Sequence, residues 1–317
     1  MTLPTPHNNL FTFTLSHIPA ARSLIETRFP VAVVEQLDLD SIVIENGSFI
    51  DPSLTEKFSD VLLSVKTKLS PDGFSQRILV YFLFEHKSEP DPLTVLQLLS
   101  YVIRIWEREV REGRPLSPIL PLVIYHGDRP WNVAMSIDEL IDCPDSIREY
   151  LVKFTCPIFD LTRTSDESIS GDPFLQSMLQ LLKYGKKNEL VERLRVILEM
   201  LKGVQPNFVE DWILAIGVYV MSVNKSITQE EFADTVRSVW PVQIESGSLA
   251  DKLLKKGREE GIEIGEACGI IKTLQGILGV AMADDEMLRE KSLEELYAMV
   301  AVLRTQTLNR SSDNGQG

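Results

Sequence analysis

Two acids and an amine, Asp60, Glu85 and Lys87, stand at the ends of short apolar runs, Glu85 25 positions after Asp60 and one residue lying between Glu85 and Lys87. Alternation along a strand turns Glu85 and Lys87 to the same side of a sheet, while His86 points away and leaves its backbone carbonyl near the first group. Two carboxylates and a carbonyl oxygen make a hard oxygen site suited to Mg2+ or Mn2+. Beside them, Lys87 is placed to orient an attacking water and offset charge building on a phosphate. The chemistry implied is metal-assisted hydrolysis of a phosphate ester. The plain alternative is a solvated ion pair where a strand leaves the core, and an acid followed by Glu-x-Lys is common by chance. The placement narrows it: the run ILVYFLF delivers Glu85 and Lys87 directly into SEPDP.

A helix expected from about Pro92 to Glu112, with Asp91 as N-cap and Pro92 at its first position, adds a second group of polar residues. At 100° per residue, Gln97, Tyr101, Arg104, Arg108 and Arg111 fall within an arc of about 80°, and Val95, Leu99, Val102 and Trp106 form the apolar face. An amide, a phenol and three arginines on one face suit contact with phosphates and base edges. The alternative is a solvated face laced by Glu107–Arg111 and Arg108–Glu112 pairs.

The elements that must position these groups are legible in outline. Asn9 to Phe29 carries apolar residues at helical intervals and stops at Pro30, as one helix or two. Ser41 to Ile50 reads as a strand broken at Asn46-Gly47, Val61 to Val65 as a short strand, Ser70 to Gly73 as a turn, and Ile78 to Phe84 and Ile119 to Tyr125 as buried strands. Helix, three strands, long helix and strand demand an α/β fold, with a mixed sheet and a crossover helix. The polar stretch after Thr164 marks an expected boundary, beyond which Phe174–Lys186, Glu189–Leu201, Phe208–Val223 and Gln229–Val239 read as helices. The organisation expected is a first domain over 1–165, a helical domain over 166–250, a glycine-repeat helix and terminal helix over 251–309, and a disordered tail.

No apolar run reaches the length of a membrane span, and Met1 to Leu10 lacks the basic and apolar regions of a secretory signal. Cys143, Cys156 and Cys268 are far apart, which argues against a disulfide framework and for a cytoplasmic setting. The net charge of −14 opposes a polyanionic partner at long range. It is unevenly spread, however: residues 1–130 hold 12 Lys and Arg against 16 Asp and Glu, and the remainder holds 20 against 30. Most of the acidity therefore lies outside the candidate site.

The stretch FIDPSLTEKFSDVLLSV, then YFLFEHKSEPD, then Gln97 to Tyr101, then LPLVIYHG resembles the recombination-promoting nuclease / putative transposase family, within the PD-(D/E)xK nucleases. His7, Phe11 and RSLIETRFP match its opening helix more loosely. The resemblance covers residues 7 to 130 and implies a restriction-endonuclease-like fold, divalent-metal cleavage of DNA and a link to gene transfer. By position it implies Asp60 and Glu85 as metal ligands, Lys87 as the lysine that stabilises the transition state, and Gln97 with Tyr101 as the helix motif. Two positions depart from the family: Asn8 stands where its opening His-Asp pair has Asp, and Lys87 where many members have Gln.

Gly257, Gly261, Gly265 and Gly269 recur every fourth residue, each costing a helix about 1 kcal/mol relative to alanine, a penalty that close helix packing offsets. The expectation is self-association through this stripe; a fraying polar helix is the alternative. Two rival functions stay open at this stage: a nuclease fold that holds DNA without cutting, and an oligomeric interaction protein.

Overall fold

The computed structural model describes residues 6–45, 61–68, 79–204, 206–240, 267–275, 278, 280, 283, 288 and 296–303. Asp60, the Asn46-Gly47 and Ser70–Gly73 turns, Gly257, Gly261, Gly265 and the tail after Asn309 lie outside the described residues. The chain divides into two compact units, Leu10–Gln205 and Met1–Asn9 with Pro206–Gly317.

The first unit is built on a mixed sheet in the order β1 to β5: β1 Leu37–Glu45, β2 Val61–Thr67, β3 Leu79–Lys87, β4 Ile119–Tyr125 and β5 Ile158–Asp160. β1, β2 and β3 pair antiparallel, whereas β3, β4 and β5 pair parallel. β1 starts four residues before the expected Ser41, because Leu37 and Leu39 already alternate inward. Its register slips between Asp38 and Val43, and there the Ser41 hydroxyl takes a rung of the ladder, accepting from Lys66 N at 2.8 Å. Pro121, in the middle of β4, is tolerated for a geometric reason. Val123, of the same parity, donates its N–H toward β5, to the carbonyl of Pro157. The missing N–H of Pro121 would point the same way, where β5 has not yet begun.

Helices cover both faces. α1 (Pro6–Leu15) and α2 (Ile18–Arg28) bury Phe11, Leu15, Leu24 and Ile25, with Phe29 edge-on to Phe82 at 4.9 Å between centroids. α3 (Thr94–Arg111) covers the other face, where Val95, Leu98 and Tyr101 pack with Leu62, Tyr81 and Val123. It begins at Thr94 rather than Pro92. The Asp91 carboxylate accepts from Leu93 N at 2.9 Å and its carbonyl from Thr94 N at 3.0 Å, which holds Pro92 and Leu93 in a turn ahead of the helix. At the other end Gly113 adopts φ 68°, with its N–H on the Val110 carbonyl and that of Arg114 on Glu109, the paired bonds of a Schellman stop.

After β5 the unit continues into α4 (Pro173–Tyr184), capped by the Asp172 carboxylate, and α5 (Leu190–Glu199). Asp166, in the polar stretch between, accepts from Lys183 at 2.6 Å and is paired with Arg193. β5 and the single turns at Val31–Val34, Ile137–Leu140 and Asp145–Arg148 carry no periodic signal and were not expected.

The second unit contains α6 (Pro206–Val223) and α7 (Gln229–Val239), the latter opened by a capping box between Thr228 and Glu231. His7 Nδ1 lies 3.0 Å from the buried Tyr219 hydroxyl. Residues 267–275 are helical; a Cβ on Gly269 would meet nothing within 4 Å, so no neighbour among the described residues requires glycine there. Among the described residues no helix is long and apolar enough to cross a membrane.

Candidate active site

β3 emerges between β2 and β4, and the pairing fixes which of its residues share a face. Glu85 pairs with Val123, and Lys87 with Tyr125, which in turn pairs with Asp160. All of these lie on the α3 face, as does Tyr81, whereas Phe82, Phe84 and His86 face α1 and α2. His86 accordingly stacks 5.2 Å from Phe11 and 5.7 Å from His126, on the opposite side of the sheet from Glu85 and Lys87. The separation expected from alternation is present: the acid and the amine together, the imidazole behind them.

Lys87 Nζ lies 3.0 Å from Glu85 Oε1 and donates to Gln97 Oε1 at 2.9 Å. Gln97 Nε2 donates in turn to the Tyr101 hydroxyl. Four of the expected residues thus form one chain of contacts, from the strand end to about one turn of α3. The other carboxylate oxygen, Glu85 Oε2, is buried and has no hydrogen-bond partner in the structure. A buried, unsatisfied carboxylate oxygen costs more than about 1 to 3 kcal/mol, and a hard cation is one of the few groups that repays it. A divalent ion beside Glu85 would meet this oxygen. Among the described residues no group of three or more His, Cys, Asp or Glu comes together, and Asp60 is outside them. The ladder with β2 ends at the pair Val61–Phe84, one residue in sequence from Asp60 and one from Glu85. The Lys87 carbonyl accepts from His126 N on the β4 side, so the adjacent carbonyl of His86 faces the β2 side.

The arginines are only partly available. Arg104 pairs with Glu107 at 3.3 Å and Arg108 with Glu112 at 2.5 Å, while Arg111 is exposed and has no ion pair among the described residues. Glu107 thus pairs toward the N-terminus of the helix rather than with Arg111. Such exposed pairs contribute about 0 to 1 kcal/mol and exchange readily for a phosphate.

Three nearby groups escaped sequence reasoning. Cys156 is buried in the cluster beneath Glu85, and burial, with the charge of Glu85 second, pushes its thiol up to about 12. It is a neutral packing residue, reached by an irregular segment with no motif. Asp160 holds Trp131 N at 3.0 Å and Thr162 N at 2.9 Å, so its carboxylate braces loops. Gly127, just past β4, has no room for a Cβ against the Tyr125 ring and the Ser88 carbonyl, and lets the two loops beside the site approach.

A mixed α/β sheet that brings Glu and Lys from one strand end against an amide and a phenol of the crossover helix defines the class. The profile of the family described as putative transposase, YhgA-like, matches residues 5–209, and the chain belongs to that family, the recombination-promoting nuclease / putative transposase group suggested by its motifs. It is similar to recombination-promoting nuclease RpnD of Escherichia coli O157:H7, 29% identical over 76% of this chain and 90% of RpnD. Recombination-promoting nuclease RpnA of Escherichia coli K12 is 27% identical over 93% of this chain and 97% of RpnA. The inactive recombination-promoting nuclease-like protein RpnE of the same strain is 24% identical over 83% of this chain and 86% of RpnE. No solved structure matches.

Proposed function

We propose that the protein is a divalent-metal-dependent DNA endonuclease of the PD-(D/E)xK type, with a restriction-endonuclease-like first unit, acting in recombination or on mobile elements. The observation that carries this reading is Glu85: a buried carboxylate with one oxygen on Lys87 and the other bare. Asp60, Glu85 and the His86 carbonyl would hold Mg2+ or Mn2+. Bound there, the ion would supply Lewis-acid polarisation of the phosphate and a more acidic water.

The remaining work falls to the chain itself. The Lys87 ammonium has three N–H groups; two are directed to Glu85 and Gln97, which aims the third. That donor holds the attacking water or a phosphate oxygen in place and offsets negative charge as it develops. Gln97, anchored on Tyr101, keeps the long lysine side chain in one rotamer. Arg104, Arg108 and Arg111 bind the phosphates of DNA along the exposed flank of α3. Three free cysteines suit a reducing, cytoplasmic setting.

The test is plasmid nicking by the full chain with Mg2+ or Mn2+, comparing the native protein with Asp60→Asn and Glu85→Gln. Conversion of supercoiled to open-circular DNA by the native protein alone supports the reading. A second reading, a nuclease fold that binds DNA without cutting, is favoured by RpnE, whose name calls it inactive. It predicts retention of DNA at low salt with no nicking by any variant.

A further inference from the structure

α3 is apolar over a wider arc than the sheet covers. Taking Thr94 as zero and 100° per residue, the residues buried against the sheet run from about 340° to about 100°, and the cationic flank from about 260° to 340°. On the other side, between about 120° and 200°, lie Leu96, Leu99, Ile103, Trp106 and Val110. Leu96, Ile103 and Val110 are exposed by 49%, 43% and 65%, far more than a helix with a covered apolar face leaves out. Ile103, Trp106 and Val110, together with Leu116, border an open groove of about 430 Å³ edged by Glu107 and Arg111; Leu96 extends the same stripe beyond it.

The spacing is not that of scattered surface residues. Leu96, Ile103 and Val110 recur every seven, and Leu99 and Trp106 stand three after the first two, the a and d positions of a two-helix seam. In an antiparallel pair, a residues face d residues. A two-fold register that sets Ile103 against the second copy's Trp106 also sets Val110 against its Leu99 and Leu96 against its Gly113, where α3 ends and space opens. The same register brings Glu107 within about 3 Å along the axis of the second copy's Arg104, and the reverse contact follows by symmetry. The two charges already pair within one helix at 3.3 Å, and each is half exposed, so exchange across the seam costs little.

We infer that this seam is a homodimer interface, in which α3 of a second copy packs antiparallel on Leu96, Ile103 and Val110. The occupant is a second copy because apolar register and reciprocal charge are both satisfied by α3 itself. Arg108, about 160° around the helix from the seam, stays clear of it, whereas Arg104 and Arg111 border it. The inference does not depend on DNA cleavage, and its readout is mass.

Sedimentation of the full chain at about 10 µM, where a modest interface is populated, should give twice the 35.8 kDa chain mass. Ile103→Glu with Val110→Glu should return it to the single-chain mass, with an unchanged far-ultraviolet spectrum since both sites are exposed. Glu107→Arg should weaken association about tenfold, and adding Arg104→Glu should restore it by reversing both pairs. A native chain that sediments as a monomer overturns the inference. So does a dimer that persists in the double glutamate variant, which would place the contact elsewhere, the glycine repeat included, or in the charge-swapped pair a failure to recover.

Discussion

Lys87 reaches Gln97 across the gap between a strand end and a helix, Nζ to Oε1 at 2.9 Å. The bond ties the orientation of the ammonium to α3, an element whose own position is set by Val95, Leu98 and Tyr101 in the core. Lys87→Met should lower nicking by at least about 100-fold, the loss of a charge-stabilising donor. Gln97→Leu keeps the ammonium and frees it, so a drop nearer tenfold is expected in kcat with KM for DNA little changed. Equal losses in the two variants would show that Gln97 does more than hold the lysine.

Divalent ions should stabilise the fold through Glu85. Each addition of Mg2+ or Mn2+ to about 100 times its dissociation constant contributes roughly 2.7 kcal/mol to a protein that binds only when folded. Thermal melting should move upward with added ion in the native chain and remain fixed in Glu85→Gln. An equal shift in both would place the ion elsewhere.

Glu109 is a carboxylate buried on the covered face of α3, accepting from Ser117 N at 2.8 Å and Ser117 Oγ at 2.6 Å. It pins the turn that follows Gly113 to the helix and so sets where β4 starts. Glu109→Ala leaves the Ser117 donors buried and unmet, a cost of about 2 to 3 kcal/mol, read as a lower urea midpoint.

Asp166 should give the first unit an acid-sensitive contribution. Burial alone would raise its pKa, but hydrogen bonds from Lys183 and Tyr184, with the charges of Lys183 and Arg193, outweigh burial and hold it below the usual carboxylate range. A depressed folded pKa means stability that is fully present above the ordinary value of about 4 and lost as pH falls through the folded one. Urea midpoints between pH 5 and 2 should fall more steeply in the native chain than in Asp166→Asn; parallel curves would refute the assignment.

Much of this arrangement was written in local pattern. The apolar run before Glu85 specified a buried strand, alternation specified which way Glu85, His86 and Lys87 turn, and the spacing of Gln97 and Tyr101 specified their shared helix face. Other parts depend on contacts that no window of sequence displays. β5 is three residues long and is a strand only because β4 offers it an edge. Glu109 sits on an apolar face, a polar intruder whose reason, Ser117, lies past the helix stop. The start of α3 was displaced because Asp91 spends its side chain on a turn rather than on the helix itself. Arg104 chose Glu107, leaving Arg111 open, a choice between nearly equal surface partners that rotamers decide.

The order of strand pairing also times when the carboxylate comes into being during synthesis. β1, β2 and β3 are neighbours in sequence as well as in space, so that meander closes early, whereas β3 gains its second neighbour only after α3 has crossed over and β4 has been made. A nascent chain that has not yet delivered Tyr125 from the ribosome has Glu85 at an open sheet edge, facing water instead of Val123. Such a fragment lacks the enclosed acid, which is complete only once β4 has joined the sheet.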